Sequence, residues 1–313
     1  MSAAVPRLGW DQLPAHLRQT FTTDMGGSVT DEHRQSGGFS PGMASRLTLS
    51  NGRRVFVKAI HPDRDPRAVE LYRREIRIAA ALPAGLPAPE LLWTYDQDDW
   101  VALAFADIDG RHPAEPWGTD DLDRVVDALA VLADQLTPSP VATVSLIEDL
   151  AENFSSWRRL AATPRAPELD QLPAWAHQNL DLLAHLEAGW EKGASGATLV
   201  HSDLRADNLL LTPERVWVID WPYAATGAAY MDLLLLLPSV AAGGVDPEPV
   251  WRRYGPANEA DADSVNAVLA AIAGDHLTQS QRPAPPNIPT LRAHQRAKGE
   301  AALAWLRTRL KDG

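Results

Sequence analysis

Val200-His201-Ser202-Asp203-Leu204-Arg205-Ala206-Asp207-Asn208-Leu209-Leu210-Leu211-Thr212-Pro213-Glu214-Arg215-Val216-Trp217-Val218-Ile219-Asp220 is the stretch on which the reading of the fold turns. It begins as an H-x-D-x-x-x-x-N run and continues into a short apolar segment. A Thr-Pro-Glu-Arg turn follows, then a second apolar segment that ends in an aspartate. Leu209 to Leu211 and Val216 to Ile219 are apolar enough to pair as strands across that turn. A hairpin returns the chain to its starting end, so Asp220 is expected beside Asn208. The spacing suits phosphoryl transfer, in which little covalent chemistry is needed but an acceptor hydroxyl, a triphosphate and a divalent metal must be held in line. Asp203 is the expected base or orienter of the hydroxyl, and Asn208 and Asp220 are the expected metal ligands.

These residues resemble the protein kinase-like superfamily and, within it, the aminoglycoside phosphotransferases and related small-molecule kinases. The resemblance implies an α+β, bilobal protein kinase-like fold, with a small antiparallel-sheet N-lobe and a larger, mainly helical C-lobe. We place the division at residues 1–105 and 106–313. It implies ATP and Mg2+ as cofactors, and a further aspartate downstream that buttresses the catalytic loop. Asp232, in Tyr230-Met231-Asp232-Leu233, stands at that place. His201 reads as a structural, hydrogen-bonding histidine. Arg205 falls two residues after the expected base, where protein kinases often put a lysine and many aminoglycoside phosphotransferases a histidine. An arginine there is either a charged donor to the developing negative charge or a structural partner of an acid such as Asp207.

A phosphate-binding half is expected upstream, and residues 34–60 carry it. Gly37, Gly38 and Gly42 let backbone amides approach phosphate oxygens with no side chain intervening. Ser40 lies in the same turn, and Gly37, Gly38 and Ser40 are the expected loop contacts to the nucleotide. Asn51-Gly52 signals a two-residue hairpin, so the segment reads strand, Gly-rich turn, strand, hairpin, strand. Lys58 then lies on the third strand, where a kinase places its phosphate-binding lysine. Residues 67–82 follow as a helix between Pro66 and Pro83. The resemblance gives that helix a glutamate paired with the lysine. Glu75, in mid-helix, is the choice over Glu70. Trp100 to Phe105 reads as the strand that enters the hinge, and the resemblance implies that backbone groups at Phe105 and Ala106 bond the nucleobase.

Helices are expected at 121–136, about 145–161 and about 170–191, at 233–237 and at 291–310. The resemblance implies that the C-terminal helices wall the acceptor pocket, where Asp275, His276, Gln279 and Trp251 are candidates without one standing out. Only 12 positions separate Asp220 from Asp232 and no A-P-E sequence follows. A protein kinase needs a longer activation segment there, so the acceptor is expected to be a small hydroxylated molecule.

Composition bounds the rest. With 313 residues the chain can build a large core, and having no cysteine it has no disulfide framework, thiolate metal site or cysteine nucleophile. The net charge of −12 argues against a nucleic-acid partner and favours a cationic or neutral one, and the acceptor is expected to be an aminoglycoside or other antibiotic, an amino sugar or an amino alcohol. No apolar run reaches membrane-spanning length and Met1 to Trp10 does not resemble a signal peptide, so a cytoplasmic enzyme is expected. Two further readings stand beside this one. A non-catalytic nucleotide-binding module conflicts with the intact set Asp203, Asn208, Asp220 and Lys58, and a protein kinase conflicts with the short segment after Asp220.

Overall fold

Strict alternation of buried and half-buried positions from Met43 to Leu49 marks a strand with both faces covered. In the computed structural model, which describes residues 7–35, 41–163, 165–285 and 288–312, this segment is β2. It follows β1 (Val29–Arg34) and precedes β3 (Arg54–Ile60), and β4 (Leu91–Gln97) and β5 (Trp100–Ala106) complete the sheet. The five strands are antiparallel in the order β1-β2-β3-β5-β4. Along β3 the side chains alternate, so Val55, Val57 and Ala59 serve one face while Lys58 and Ile60 serve the other. A first helix, α1 (Ala15–Met25), covers the former face, with Leu17, Phe21 and Met25 in one apolar cluster with Val55, Val57, Trp93 and Tyr95. The second helix, α2 (Pro66–Ala81), covers the latter, with Ala68, Val69 and Tyr72 against Ile60, Leu103 and Phe105.

α2 starts at Pro66, one residue before its expected start, because Asp65 caps it. The Asp65 carboxylate accepts from the amides of Arg67 (2.9 Å) and Ala68 (3.2 Å), and a proline in the first turn has no amide to lose. The β2–β3 connection differs from the expected two-residue hairpin. The Gly52 amide donates to Leu49 O at 2.9 Å and the Leu49 amide to Arg53 O at 2.9 Å, which leaves a three-residue loop, Ser50 to Gly52. Gly52 takes the left-handed conformation at φ 82°, as such loops require. The Asn51 side chain turns inward and donates to Met25 O (3.0 Å) and Gly26 O (3.1 Å), tying the loop to the end of α1.

The chain divides into two compact units, Met1–His112 with Asp207–Tyr223, and Pro113–Ala206 with Ala224–Gly313. The later segment of the first unit is the expected hairpin, β7 (Leu209–Leu211) and β8 (Val216–Val218), paired Leu209 to Val218 and Leu211 to Val216. β6 (Thr198–Val200) and β9 (Ala225–Gly227) pair in the second unit.

The remaining helices belong to the second unit. They are α3 (Thr119–Gln135), α4 (Leu146–Leu150), α5 (Ser156–Ala161), α6 (Ala174–Gln178), α7 (Leu180–Glu187), α8 (Trp190–Ala194), α9 (Met231–Ala242), α10 (Pro247–Arg253), α11 (Ala262–Gln279) and α12 (Leu291–Asp312). Two expected helices are broken. The 145–161 segment splits at Phe154, whose ψ of 38° is non-helical. The 170–191 segment becomes α6, α7 and α8. Pro173 precedes α6, Asn179 at φ −118° and ψ 29° separates α6 from α7, and Gly189 at ψ 0° precedes α8. Apolar periodicity is blind to these interruptions, and it does not place every apolar residue inward, since Val131 in α3 and Leu182 in α7 are exposed. α11 is buried along most of its length and packs against α12, which also rests on α9.

Glu187, at the end of α7, has no exposed surface and is there to cap another helix. Its carboxylate accepts from the amides of Trp157 (3.0 Å) and Arg158 (2.9 Å) in the first turn of α5, and from Arg158 Nε at 3.3 Å. Burial raises its pKa, partly offset by those hydrogen bonds. Glu187→Ala should leave two amides unpartnered, one of them on buried Trp157, and cost about 2 kcal/mol. That is a fall of roughly 5 °C in Tm, whereas Glu191→Ala on the exposed side of α8 should fall within about 0.5 kcal/mol of wild type. Equal calorimetric melting of the two variants would remove the capping role.

Candidate active site

In the first unit three of the expected residues converge on one ammonium group. Lys58 Nζ donates to both oxygens of Glu75 at 2.8 Å and to Asp220 Oδ1 at 2.6 Å. Lys58 reaches Glu75 because strand alternation turns it toward the face that α2 covers. Glu75 is 1 % exposed, and it also accepts from the backbone amide of Trp221. Burial pushes the Glu75 carboxyl up to about 7 despite the lysine. Burial works to lower the Lys58 pKa, but the adjacent charges of Glu75 and Asp220 override it and raise the group above its ordinary value. Lys58 is therefore a fixed cation. Glu70, the rejected alternative, pairs instead with Arg73 at 2.8 Å on the exposed side of α2.

Asp220 arrives at Lys58 through the docking of the β7–β8 hairpin on earlier parts of the unit. The Val218 amide donates to Pro87 O (2.7 Å) and an Arg215 guanidinium nitrogen to Gly85 O (3.0 Å). Arg111 and Leu211 exchange backbone hydrogen bonds at 3.1 and 2.7 Å, and His112 Nδ1 lies 2.8 Å from Leu209 O. The Ile219 amide donates to Asn208 O at 3.0 Å, which sets the residue before Asp220 against Asn208, as the hairpin argument requires. Asp220 itself is held at φ 68°, an uncommon conformation for a residue with a Cβ. Trp221 is buried and its Nε1 donates to Val218 O at 3.0 Å, so the indole packs the turn.

Asn208 and Asp220 offer an amide oxygen and a carboxylate. Among the described residues no group of three or more histidine, cysteine or acidic side chains is gathered as a metal cage. Two hard oxygen donors without a cage suit Mg2+, which keeps most of its shell for water and phosphate oxygens.

In the second unit Asp232 holds the loop that carries Asp203. Its carboxylate accepts from the amides of His201 (2.9 Å) and Ser202 (2.9 Å). Burial raises its pKa, offset in part by His201 and these two amides. Ser202 takes φ 60°, and the two hydrogen bonds are what hold it there. His201 is fully buried, and its Nδ1 accepts from the Asp203 amide at 3.3 Å. Arg205 pairs with Asp203 itself, one guanidinium nitrogen lying 2.9 and 2.8 Å from the two carboxylate oxygens.

The other expected contacts fare differently. Gly37, Gly38 and Ser40 lie outside the described residues. Gly42 is a packing glycine, since a Cβ there would come within 2.5 Å of Ala59 O and 3.1 Å of the Tyr72 hydroxyl. Phe105 is buried among Ile60, Val69 and Leu103, and the Ala106 amide donates to Glu90 O at 2.9 Å. Beside them is a network that no sequence signal announced. The Asp107 carboxylate, 2 % exposed, lies 3.2 Å from Arg46 Nε and 2.7 Å from an Arg54 guanidinium nitrogen, pinning the chain as it leaves β5. Trp251 is buried in edge contacts with Tyr230 and Trp305.

The model of the phosphotransferase enzyme family matches residues 36–268. Among curated proteins none matches in sequence. Solved structures match over nearly the whole chain. One is an aminoglycoside phosphotransferase from Alicyclobacillus acidocaldarius, 15 % identical, with 98 % of this chain and 99 % of that one covered at a TM-score of 0.60. A thermostable mutant of aminoglycoside phosphotransferase APH(4)-Ia, in ternary complex with ADP and hygromycin B, is 15 % identical, with 94 % and 99 % covered and a TM-score of 0.58. A choline/ethanolamine kinase family protein from Mesorhizobium loti is 17 % identical, with 95 % and 99 % covered and a TM-score of 0.57. At such identities the likeness is one of fold, the protein kinase-like fold of these enzymes.

The buried ion pair makes a stability prediction. Lys58→Met leaves Glu75 buried beside Asp220 without its cation and should cost about 3 kcal/mol. Glu75→Leu added to Lys58→Met should restore a good part of that loss, with a coupling above about 1 kcal/mol in a double-mutant cycle by denaturant titration. Strict additivity would show that the two side chains do not act as a pair.

Proposed function

The chain belongs to the phosphotransferase enzyme family, and from that premise we propose that it transfers the γ-phosphoryl group of ATP, with Mg2+, to a hydroxyl of a small, amine-bearing molecule. The observation that carries this reading is the single ammonium of Lys58 holding Glu75 and Asp220, residues separated by 145 positions of sequence. A buried cation locked by two carboxylates is poor as a mere stabiliser, since an apolar trio of similar volume would serve as well or better. It is well suited to receive phosphate oxygens at a fixed point.

In this mechanism Lys58 neutralises the phosphates and Glu75 keeps Lys58 in place. Asn208 and Asp220 would hold Mg2+, which when bound shields the charge of the β- and γ-phosphates. Asp203 orients the acceptor hydroxyl and takes its proton as the oxygen bonds to the γ-phosphorus. The bond from that phosphorus to the β–γ bridging oxygen breaks and ADP leaves. The pairing with Arg205 aims the Asp203 carboxylate, and Arg205 supplies a permanent positive charge to the transferred group. Asp232 acts through the backbone by holding Ser202 in its strained conformation.

The acceptor's chemistry is inferred from the net charge of −12 and from the neighbours named for aminoglycosides and for choline and ethanolamine. ADP bound to one neighbour supports an adenine nucleotide. No helix among the described residues is long and apolar enough to cross a membrane, and a cytoplasmic location would supply the nucleotide.

An ADP-release screen over hydroxylated amines, sugars and antibiotics, with mass analysis of products, should find an acceptor that gains one phosphoryl group. Turnover of anionic or peptide acceptors alone would sink the cationic class. With the acceptor in hand, Asp203→Asn should keep nucleotide affinity and lose roughly 10²- to 10⁴-fold in turnover. Wild-type turnover in that variant would remove Asp203 from the mechanism. By calorimetry, Asp220→Ala should bind MgATP much more weakly than wild type, and metal-independent affinity in both proteins would remove the metal assignment.

A further inference from the structure

The segment that precedes α1 is fixed to the sheet of the first unit. Leu8 and Trp10 are buried in the apolar cluster beneath α1, with the Trp10 and Phe21 ring centroids 5.0 Å apart. The Trp10 amide donates to Glu32 Oε1 of β1 at 3.0 Å, and the Ser45 hydroxyl of β2 donates to the same oxygen at 2.7 Å. These contacts anchor residues 8–10 on the α1 face, and with them they fix the backbone from which Arg7 extends.

The Arg7 side chain reaches beyond that face. It is half-buried, and one guanidinium nitrogen donates to Gln35 O at 3.1 Å. The Gln35 amide donates to Ala44 O at 2.9 Å, continuing the β1–β2 ladder, and Ala44 stands opposite Lys58 in the β2–β3 register. Gln35, Ala44 and Lys58 thus form one row. With strands about 4.8 Å apart, the Gln35 and Lys58 backbones lie about 10 Å from one another. Burial lowers the Arg7 pKa, while the Tyr72 phenol and the Asp220 carboxylate act to raise it. The same two groups act on Lys58, whose ammonium is 5.9 Å from the Tyr72 ring centroid. Arg7 and Lys58 therefore stand in one electrostatic neighbourhood.

Among the described residues no carboxylate lies within ion-pair distance of Arg7, and Asp220 already bonds Lys58 at 2.6 Å. A half-buried guanidinium with no anion against it carries a cost that a bound anion relieves. Its planar fork of donors matches two oxygens of a phosphate.

We propose that Arg7 is a second phosphate-binding cation of the nucleotide site, holding one phosphate of the nucleotide while Lys58 holds another. This rests on the nucleotide-binding reading of the Lys58 site, and it gives part of that site to a residue outside the strand, helix and hairpin that build the rest. A purely structural Arg7 would tie its segment to Gln35 O and be indifferent to phosphate.

Calorimetry on the full-length chain with MgATP, and with adenosine as the phosphate-free probe, separates the two roles. Arg7→Gln, which keeps a donor and loses the charge, should weaken MgATP about tenfold, the size of one lost charged hydrogen bond. Adenosine affinity should stay at the wild-type value, and Arg7→Lys should recover part of the loss for MgATP. Arg53→Gln, on the exposed β2–β3 loop, changes the net charge equally and should leave MgATP within about twofold of wild type, because solvent screens so exposed a charge. The melting temperature of Arg7→Gln checks its fold. Equal weakening of MgATP and adenosine, as a loosened segment would give, overturns the assignment, and so does wild-type MgATP affinity in Arg7→Gln. A wild-type chain that binds MgATP no more tightly than adenosine would overturn the reading of the Lys58 site itself, and this assignment with it.

Discussion

A carboxylate that is 1 % exposed cannot remain charged inside a protein without a cation against it, and the architecture of the first unit follows from meeting that demand at Glu75. The partner has to come from the sheet face under α2, which strand alternation restricts to Phe56, Lys58 or Ile60 on β3. Lys58 is the cation among them. One ammonium meets both Glu75 oxygens with two of its bonds, and its third goes to Asp220. The result is a point where β3, α2 and the hairpin end are fixed together by charge, while the apolar cluster of Ile60, Val69, Tyr72 and Leu103 excludes water around it.

Backbone strain at the two aspartate loops is supported by similar means. Ser202 and Asp220 both sit at positive φ, with no glycine to make that conformation cheap. At Ser202 the two hydrogen bonds to buried Asp232 pin the chain, and at Asp220 the pairing with Lys58 does so. Each loop is thus over-determined by an ionisable group from elsewhere in its own unit. Such groups hold the two aspartate loops in conformations that an isolated loop would not keep.

The second unit shows how much a carboxylate can do away from chemistry. Glu187 caps α5 from the end of α7, and Asp261 caps α11 by accepting from the Ser264 amide at 2.9 Å. The Asp261 pKa falls to about 2 because Ser264 and then Lys192 bond the charged form. These acids belong to the chain's large negative charge, yet their work is local. Asp107 and Asp109 pair with Arg46 and Arg54 of the first unit. Net charge was therefore a weak guide to what any one of these acids does.

Legible in the sequence alone were β2, β3 and β5 and the loop and hairpin around Asp203, Asn208 and Asp220, because apolar runs bounded by turn residues need only local spacing, whereas β4, β6 and β9 were not. Glu75 could be preferred to Glu70 from its mid-helix position. The interruptions of the helices at Phe154 and Asn179 stayed hidden, since apolar spacing reports a period and not whether hydrogen bonding is continuous. Only the tertiary structure decided that one lysine serves both Glu75 and Asp220, that Glu187 caps another helix, and that Arg7 bonds the end of the row that leads to Lys58. Each of these is a meeting of groups far apart along the chain, and no local pattern encodes such a meeting. It arises when packing closes long loops and burial forces every charge inside to find its partner.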